Sequence, residues 1–418
     1  MNRRWLVLSL VFFGIVISYI DRGNLSIAAP SIMREFQIAP AAMGVLLSAF
    51  FWTYAAFQIP AGALVDTFGI RRAYAAGFFV WSIASASIAL SRGTADIIGM
   101  RMLLGLAESI GPLASIAFIR NNFQGKDQGL PTSIYMAGQS IGPALGALVG
   151  TQLIDRFGWR MMFAITGLGA LIWLPCWLLA VPSDGTRAAR QAKKAADNLE
   201  APRTIAWTAL AKNRCFWTLS FCILLSSYYW YFVLTWVPTY LVVSRGFSNL
   251  AMGRLISTGL FTMAVSNVVS GYAADKLAAR GGVFRIRLLF AAVGYAGTAA
   301  ILLLLVVPDR AWVLPVFMFS MCATGTGNSS FWAIAQHVSP KNMAGRTIGY
   351  LNTISQIAGA AAPIVTGWIL GPQKQFGPAI LLAGVCPVLA SACLLASGGH
   401  RLDETKAFLA GDLTLTSL

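Results

Sequence analysis

The sequence predicts an all-α integral membrane protein with twelve transmembrane helices in two pseudo-symmetric six-helix bundles. Hydrophobic residues make up 57% of the 418 and charged residues 11%. Mean hydropathy is +0.68, whereas a soluble chain carries roughly 25% charged residues. Twelve apolar runs follow one another, each near the roughly 20 residues a helix needs to cross a bilayer. A polar, basic stretch separates the first six from the last six.

The runs fall at 5–29, 43–65, 73–91, 95–119, 131–154 and 160–181, then at 215–243, 251–274, 286–307, 311–337, 347–371 and 378–397. Residues 1–181 are expected to form one bundle and 214–398 the other. Residues 182–213 form a cytoplasmic linker with Arg187, Arg190, Lys193, Lys194, Arg203 and Lys212, and 399–418 form a cytoplasmic tail. The first run lacks the small-residue exit of a cleavable signal and continues into charged residues, so it counts as a helix.

A net charge of +16 raises the question of nucleic acid, but its placement argues against that partner. Of the 31 Lys and Arg residues, 21 lie in loops on the side of the N-terminus and 8 on the other. This bias reads as a topology signal that places both termini in the cytoplasm. Short loops and a basic interior fit a bacterial inner membrane. The six cysteines lie mostly inside apolar runs without a CxxC pair, as small membrane-core residues do. Two histidines are too few for a histidine-based metal centre, and no cofactor is expected.

The halves echo each other. Gly62-Ala-Leu-Val-Asp66 leads through Gly69 to Arg71-Arg72 after the second run, and Gly271-Tyr-Ala-Ala-Asp275 closes the eighth. Glycine permits close helix approach. The aspartate caps or pairs at a helix end, and the basic residues hold the loop against an anionic leaflet. Gln139-Ser-Ile-Gly142-Pro143 in the fifth run parallels Gln356-Ile-Ala-Gly359 in the eleventh. Duplication of this kind marks many secondary transporters, whose site lies at the midplane between repeats.

Four charges stand inside the first half. Asp21 and Arg22 fall well within the first run, where an ionised side chain costs at least ~2.5–3.5 kcal/mol. Adjacent helical residues do not face each other, so each needs partners from elsewhere. Arg101 and Glu108 lie seven residues apart in the fourth run, two turns along one face. One alternative has Asp21 and Arg22 neutralising each other or anchoring a helix end; another makes Arg101 and Glu108 a structural charge pair tying the fourth helix to the first. The functional reading rests on the sum: the four charges cancel when both acids are ionised. Protonating an acid or admitting an anion changes that balance, so each ligand alters the cost of binding the other.

The twelve-run plan and the Gly62–Arg72 loop resemble the major facilitator superfamily. Tyr19-Ile-Asp-Arg-Gly-Asn-Leu-Ser-Ile-Ala28, Trp52-Thr-Tyr54, Gln58-Ile-Pro60-Ala-Gly62, Arg101-Met-Leu-Leu-Gly-Leu-Ala-Glu108 and Thr235-Trp-Val-Pro238 resemble its anion:cation symporter branch. That branch holds bacterial permeases for galactonate, glucarate and hexuronates, and sialin-like carriers. The resemblance covers essentially the whole chain. It implies proton coupling through Asp21 and Glu108, substrate carboxylate binding by Arg22, and Arg101 nearby. An arginine fork suits a planar carboxylate because it binds both oxygens.

The hydroxyls of a sugar acid need neutral partners. Tyr54 and Gln58 share a face of the second run, and Gln139 lies in the fifth. Tyr228, Tyr229 and Tyr231 crowd the seventh, Asn328, Ser329, Ser330 and Trp332 the tenth, and Asn352 and Gln356 the eleventh. The resemblance makes Tyr54, Gln139 and Asn352 the preferred substrate contacts, with Tyr231, Ser329 and Trp332 as further candidates. The alternative is that such amides and hydroxyls join helices, and that the tyrosines belong to an interfacial belt. The branch often carries an acid late in the tenth helix, where this chain has Ala335-Gln336-His337-Val338. His337 falls near a helix end, so coupling is expected in the N-terminal half and specificity in the other.

The expected function is proton-coupled symport of a small organic anion, a hexonate, hexuronate or aldarate, by a monomer in the bilayer. Uptake or efflux of a dicarboxylate or aromatic acid is the runner-up, and a membrane sensor is the non-transport alternative. A membrane enzyme finds no support: the chain has no P-loop, HExxH or GxSxG motif.

Overall fold

A computed structural model describes residues 3–123, 129–182, 214–339, 344–373 and 375–396. The expected linker beyond residue 182, with its basic residues, and the 399–418 tail lie outside the described residues. Among those described there is helix and no strand. Helix α1 spans Arg3–Glu35, α2 Pro40–Phe68, α3 Ile70–Leu90 and α4 Thr94–Asn122. A continuous helical stretch, Leu130–Ala180, turns at Gly158, where φ is 79° and ψ 166°. It therefore supplies α5 (130–157) and α6 (159–180). Next come α7 (Arg214–Thr235), α8 (Asn249–Gly281), α9 (Val283–Leu305), α10 (Val313–Val338), α11 (Ala344–Leu370) and α12 (Phe376–Ala396).

Ten of the described helical stretches are long and apolar enough to span a membrane. Dividing Leu130–Ala180 at Gly158 and adding the 26-residue α10 gives the twelve read from the sequence. Most helices outrun their apolar stretches by a few residues at the ends. Hydropathy marks only the hydrocarbon-embedded part, whereas backbone hydrogen bonding continues into the polar layer. The seventh run differs. Its helix stops at Thr235, and Val237–Thr239 and a π-helical turn, Tyr240–Ser244, complete it. Pro238 lacks the N–H that a continuous helix needs there.

The duplication is visible in the backbone. Gly69 and Gly282, immediately before α3 and α9, have φ of 81° and 86°. Gly158 and Gly371, before α6 and α12, have φ of 79° and 56°. Both pairs are 213 residues apart. Positive φ is cheap only for glycine, so these are the positions at which the repeated turn demands it.

Packing divides the described residues into two compact units. One comprises those within Met1–Glu200, Val233–Leu260 and Pro363–Lys374; the other comprises those within Ala201–Phe232, Phe261–Ala362 and Gln375–Leu418. In the first, α1 lies along α5 on a stripe of glycines, 138, 142, 146 and 150. A Cβ on Gly142 would stand 2.6 Å from Tyr19 Cβ and 2.7 Å from the Val16 carbonyl oxygen. A Cβ on Gly146 would meet Ile20 Cα at 3.2 Å. Small residues at every fourth position let two backbones approach, and dispersion then replaces the missing hydrophobic drive inside lipid. Helix α2 meets α4 similarly: Gly105 packs on the Phe50 carbonyl, and Thr53 Oγ1 donates to the Met102 carbonyl at 2.6 Å.

One end of α1 is clamped by a single guanidinium. Arg160 donates to Glu35 Oε1 at 2.7 Å, to the Ala89 carbonyl at 2.8 Å and to the Ser91 carbonyl at 2.7 Å. Trp159 Nε1 donates to the other Glu35 oxygen at 2.6 Å. The ends of α1, α3 and α6 are thereby held together. The same unit contains the later segments. A Cβ on Gly253 would reach the Ala147 carbonyl oxygen at 2.6 Å, and Trp236 Nε1 donates to the Pro363 carbonyl at 3.0 Å.

The second unit is built on contacts of α9 with α10 and α12. Gly294 backs directly onto Gly327, and its added Cβ would also meet the Ala323 carbonyl oxygen at 2.8 Å. Tyr229 and Ser320 hydroxyls pair at 2.6 Å, and Ser320 donates to the Thr298 carbonyl at 2.7 Å. Leu219, Cys222, Tyr295, Phe331, Leu351 and Leu394 belong to its apolar core.

Replacing Gly142 with Val drives a branched side chain into Tyr19 and the α1 backbone. The expected loss is about 1–3 kcal/mol, the usual cost of overpacking, read as a lower thermal midpoint of the purified protein. Gly23→Ala, where an added Cβ meets nothing within 4 Å, is expected not to lower the midpoint, since alanine is the better helix former.

Candidate functional site

The four intramembrane charges come together in the first unit, and α1 is the element that gathers them. A helix advances 3.6 residues per turn, so Asp21 and Arg22 leave α1 in directions about 100° apart. Arg22 turns toward α2 and α4. Its Nε donates to Glu108 Oε2 at 2.7 Å. Its Cζ stands 4.5 Å from the centre of the Tyr54 ring, 4.6 Å from Tyr19 and 4.9 Å from Phe50. Phe50 and Tyr54 are themselves stacked, with centroids 5.2 Å apart. A planar, weakly hydrated guanidinium gains from such faces when water is excluded.

Glu108 is 1% exposed and ends the first part of α4, Thr94–Glu108, where the helix turns at Ser109 before Ile110–Asn122. Its Oε2 also accepts from Ser18 Oγ at 2.8 Å. Ser18 stands one turn before Arg22, so one face of α1 grips the acid with both side chains. Glu108 Oε1 and Arg22 Nη2 are buried without a protein partner.

Asp21, also 1% exposed, faces α3 and α6. Ser85 Oγ on α3 donates to its Oδ1 at 2.8 Å. Asn24 Nδ2 is 3.5 Å from the same oxygen and donates to Thr166 Oγ1 on α6 at 3.1 Å. Arg101, 2% exposed, donates through Nη1 to the Asp21 backbone carbonyl at 3.3 Å and places its Cζ 5.2 Å from the Phe50 ring centre. Phe50 therefore lies against both guanidiniums. Asp21 Oδ2, Asn24 Oδ1 and Arg101 Nε have no partner in the protein. The result is two acids and two arginines in an apolar bundle, with one valence open on each. Chemically, the cluster can accept protons and pair with an anion.

The other expected contacts fall in different settings. Tyr54 is buried beneath Arg22, and Gln139 is half-buried on α5. In the second unit, Tyr231 donates its hydroxyl proton to Gln356 Oε1 at 2.9 Å. Ser329 pairs with Ser270 at 3.1 Å. Trp332 packs against the unit's core, and Asn352 is half-buried on α11. His337 is half-buried beside Phe284, with ring centres 6.5 Å apart.

The repeated loop departs from the expected close approach at its glycines. A Cβ on Gly271 would meet nothing within 4 Å, and one on Gly62 only Leu113 Cδ1 at 4.0 Å. The conformational demand falls instead on Gly69 and Gly282, where φ is positive. Arg71 Nη2 donates to the Leu178 carbonyl at 2.7 Å, and Trp177 Nε1 donates to the Arg71 carbonyl at 3.0 Å. Asp66 and Arg72 are exposed. Asp275 forms an ion pair with Arg287 at the start of α9.

Sequence reasoning did not single out Ser18, Ser85, Asn24, Thr166, Tyr19 or Phe50 as members of the site. Ser18 and Asn24 carried a usable signal, one helical turn from Arg22 and Asp21. Ser85 carried none, because its partner is on another helix. Among the described residues no three His, Cys, Asp or Glu side chains converge as a metal site would require.

Residues 11–363 match the sequence profile of the Major Facilitator Superfamily. The chain is 27% identical over 403 residues to the hexuronate transporter of Bacillus subtilis (strain 168), covering 93% of each chain. It is 25% identical over 419 residues to a probable galactarate/D-glucarate transporter of Escherichia coli (strain K12), covering 94% of each. In fold it is similar to a bacterial homologue of the human lysosomal transporter Spinster in an inward-facing, unoccupied conformation. That likeness has a TM-score of 0.76 at 16% identity and covers 100% of both chains.

Glu108→Ala leaves Arg22 buried without its counter-charge. Breaking one side of a buried pair costs about 3–5 kcal/mol, so the thermal midpoint of the purified protein is expected to fall sharply. Adding Arg22→Met to that variant is expected to restore much of the loss. Additive losses would contradict an energetic pair.

Proposed function

The chain belongs to the Major Facilitator Superfamily and is a transporter, not an enzyme; on that premise we propose proton-coupled symport of a small organic anion, a hexonate, hexuronate or aldarate, by alternating access. One observation carries the reading. Glu108 and Arg22 form a buried pair at 2.7 Å, and the arginine keeps a second nitrogen without a protein partner. A substrate carboxylate and the Glu108 carboxylate therefore compete for one guanidinium. Protonating Glu108 removes its charge and frees Arg22 for the anion, and the loaded site then crosses the apolar interior with less uncompensated charge. Arg101, with its own unpartnered Nε, adds positive potential beside Arg22. Asp21 is the second proton carrier.

The sugar-acid class draws support from the two bacterial relatives, which are named for hexuronate and for galactarate/D-glucarate. It also fits the chemistry of a planar carboxylate on Arg22 with hydroxyls beside Tyr54, and Gln139 is assigned to the same role. In the second unit, Asn352 and Trp332 are the preferred specificity residues. Tyr231 and Ser329 already bond Gln356 and Ser270 and would serve there through the remaining capacity of their hydroxyls or by exchanging those bonds. The gating role is assigned to the loop residues Gly62, Asp66, Arg71 and Arg72 and to their repeat, Gly271 and Asp275. The reading includes a monomer in a bacterial inner membrane, with both termini cytoplasmic, which the loop-charge bias supports.

Sealed liposomes containing the purified protein and an internal pH-sensitive dye test this directly. Wild type is expected to acidify the interior when given one member of a sugar-acid panel. Glu108→Gln is expected to lose that acidification at least tenfold while retaining counterflow exchange of labelled substrate. Undiminished proton-driven accumulation in Glu108→Gln would contradict the assignment.

A further inference from the structure

Several buried serines among the described residues return their hydroxyl to their own helix, and several others reach a neighbouring helix. Ser109 donates to the Leu106 carbonyl, Ser115 to Gly111 and Ser220 to Phe216, each at 2.7 Å. Such back-bonding is the ordinary fate of serine in an apolar helix. Ser85 does otherwise. It is fully buried on α3, a helix that brings no charge to the site, and its Oγ donates across to Asp21 Oδ1 at 2.8 Å.

We propose that Ser85 is a positioning residue for Asp21, holding one carboxylate oxygen so that the other exchanges the proton. Ser85 makes the one short hydrogen bond to this carboxylate among the described residues. Asn24 is 3.5 Å from the same oxygen and is engaged with Thr166 of α6. Arg101 of α4 reaches the backbone carbonyl of Asp21 and not its side chain. Of the remaining charges nearby, Glu108 and Arg22 are bound to each other. On the α5 side, α1 meets Gly146 and Gly150 at Ile20 and Asn24. Asp21 Oδ2 is left buried without a protein partner. It gains an O–H bond when a proton arrives from water and loses it to water on release, while Oδ1 keeps the Ser85 hydroxyl throughout. A hydroxyl binds an ionised oxygen more strongly than a neutral one, so α3 takes part in setting when Asp21 discharges.

This inference deepens the coupling reading and rests on Asp21 exchanging a proton. Its test needs no substrate. Wild type, Ser85→Ala, Ser85→Cys and Ser85→Thr are purified in liposomes and titrated by infrared difference spectroscopy, with Asp21→Asn identifying the Asp21 carboxyl band. Ser85→Ala and Ser85→Cys are expected to move the midpoint of that band by about one pH unit or more, the equivalent of one hydrogen bond to a charged group. Ser85→Thr is expected to restore it, and Ser220→Ala, which loses a bond within its own helix in the second unit, to leave it in place. A midpoint unmoved by Ala and Cys, or no Asp21-dependent band at all, would overturn the assignment. Failure of the sugar-acid reading shows differently: wild type in the same liposomes takes up no sugar acid, whatever the band does.

Discussion

The protein's central constraint is the pair formed by Arg22 and Glu108 inside an apolar bundle. Neither charge is tolerable there alone, because removing an ion from water costs several kcal/mol after all relaxation. Together they satisfy each other through one short bond, and the surroundings complete the arrangement. Tyr19, Phe50 and Tyr54 offer ring faces to the guanidinium, while Ser18 donates to the carboxylate. Each acid and each arginine still keeps one buried polar atom without a protein partner. The proposed exchange of protons and an anion makes use of these atoms.

Holding four charges in register requires helices that approach closely and do not slide. The α5 glycines bring α1 against its neighbour at the level of Val16, Tyr19 and Ile20, which sets where Asp21 and Arg22 emerge. Gly105 on α4 lets α2 approach at Phe50, so the ring that touches both arginines is fixed by a backbone contact. At one end, Arg160 ties α1 to α3 and α6 through carbonyls and Glu35. Small residues here do for position what large ones do in a water-soluble core.

Much of this was legible in the sequence, for a physical reason. Apolar length is a one-dimensional signal, so the twelve runs could be drawn without knowing which helix touches which. Asp21, Arg22, Arg101 and Glu108 stood out because charge in a membrane helix is costly wherever it points. Ser85 and Thr166 did not, because hydroxyls in apolar helices are common and their meaning lies in a partner on another helix. The glycines show the same division. Gly142 was noticed within a Gly-Pro-rich string and does pack closely, whereas Gly62 and Gly271, noticed through a repeated motif, open onto space. A motif shows that a position is repeated; only packing shows what it does. The break at Thr235 was likewise invisible to hydropathy, which runs on unbroken to residue 243.

The central claim is that an anion and the Glu108 carboxylate compete for Arg22. Calorimetric titration of the purified protein with the transported sugar acid tests it most directly, run in two buffers of different protonation heat at a pH where Glu108 is ionised. The account expects binding to draw a proton from the buffer, so that the observed heats differ between buffers in wild type and converge in Glu108→Gln. Heats that agree between buffers in wild type would contradict it.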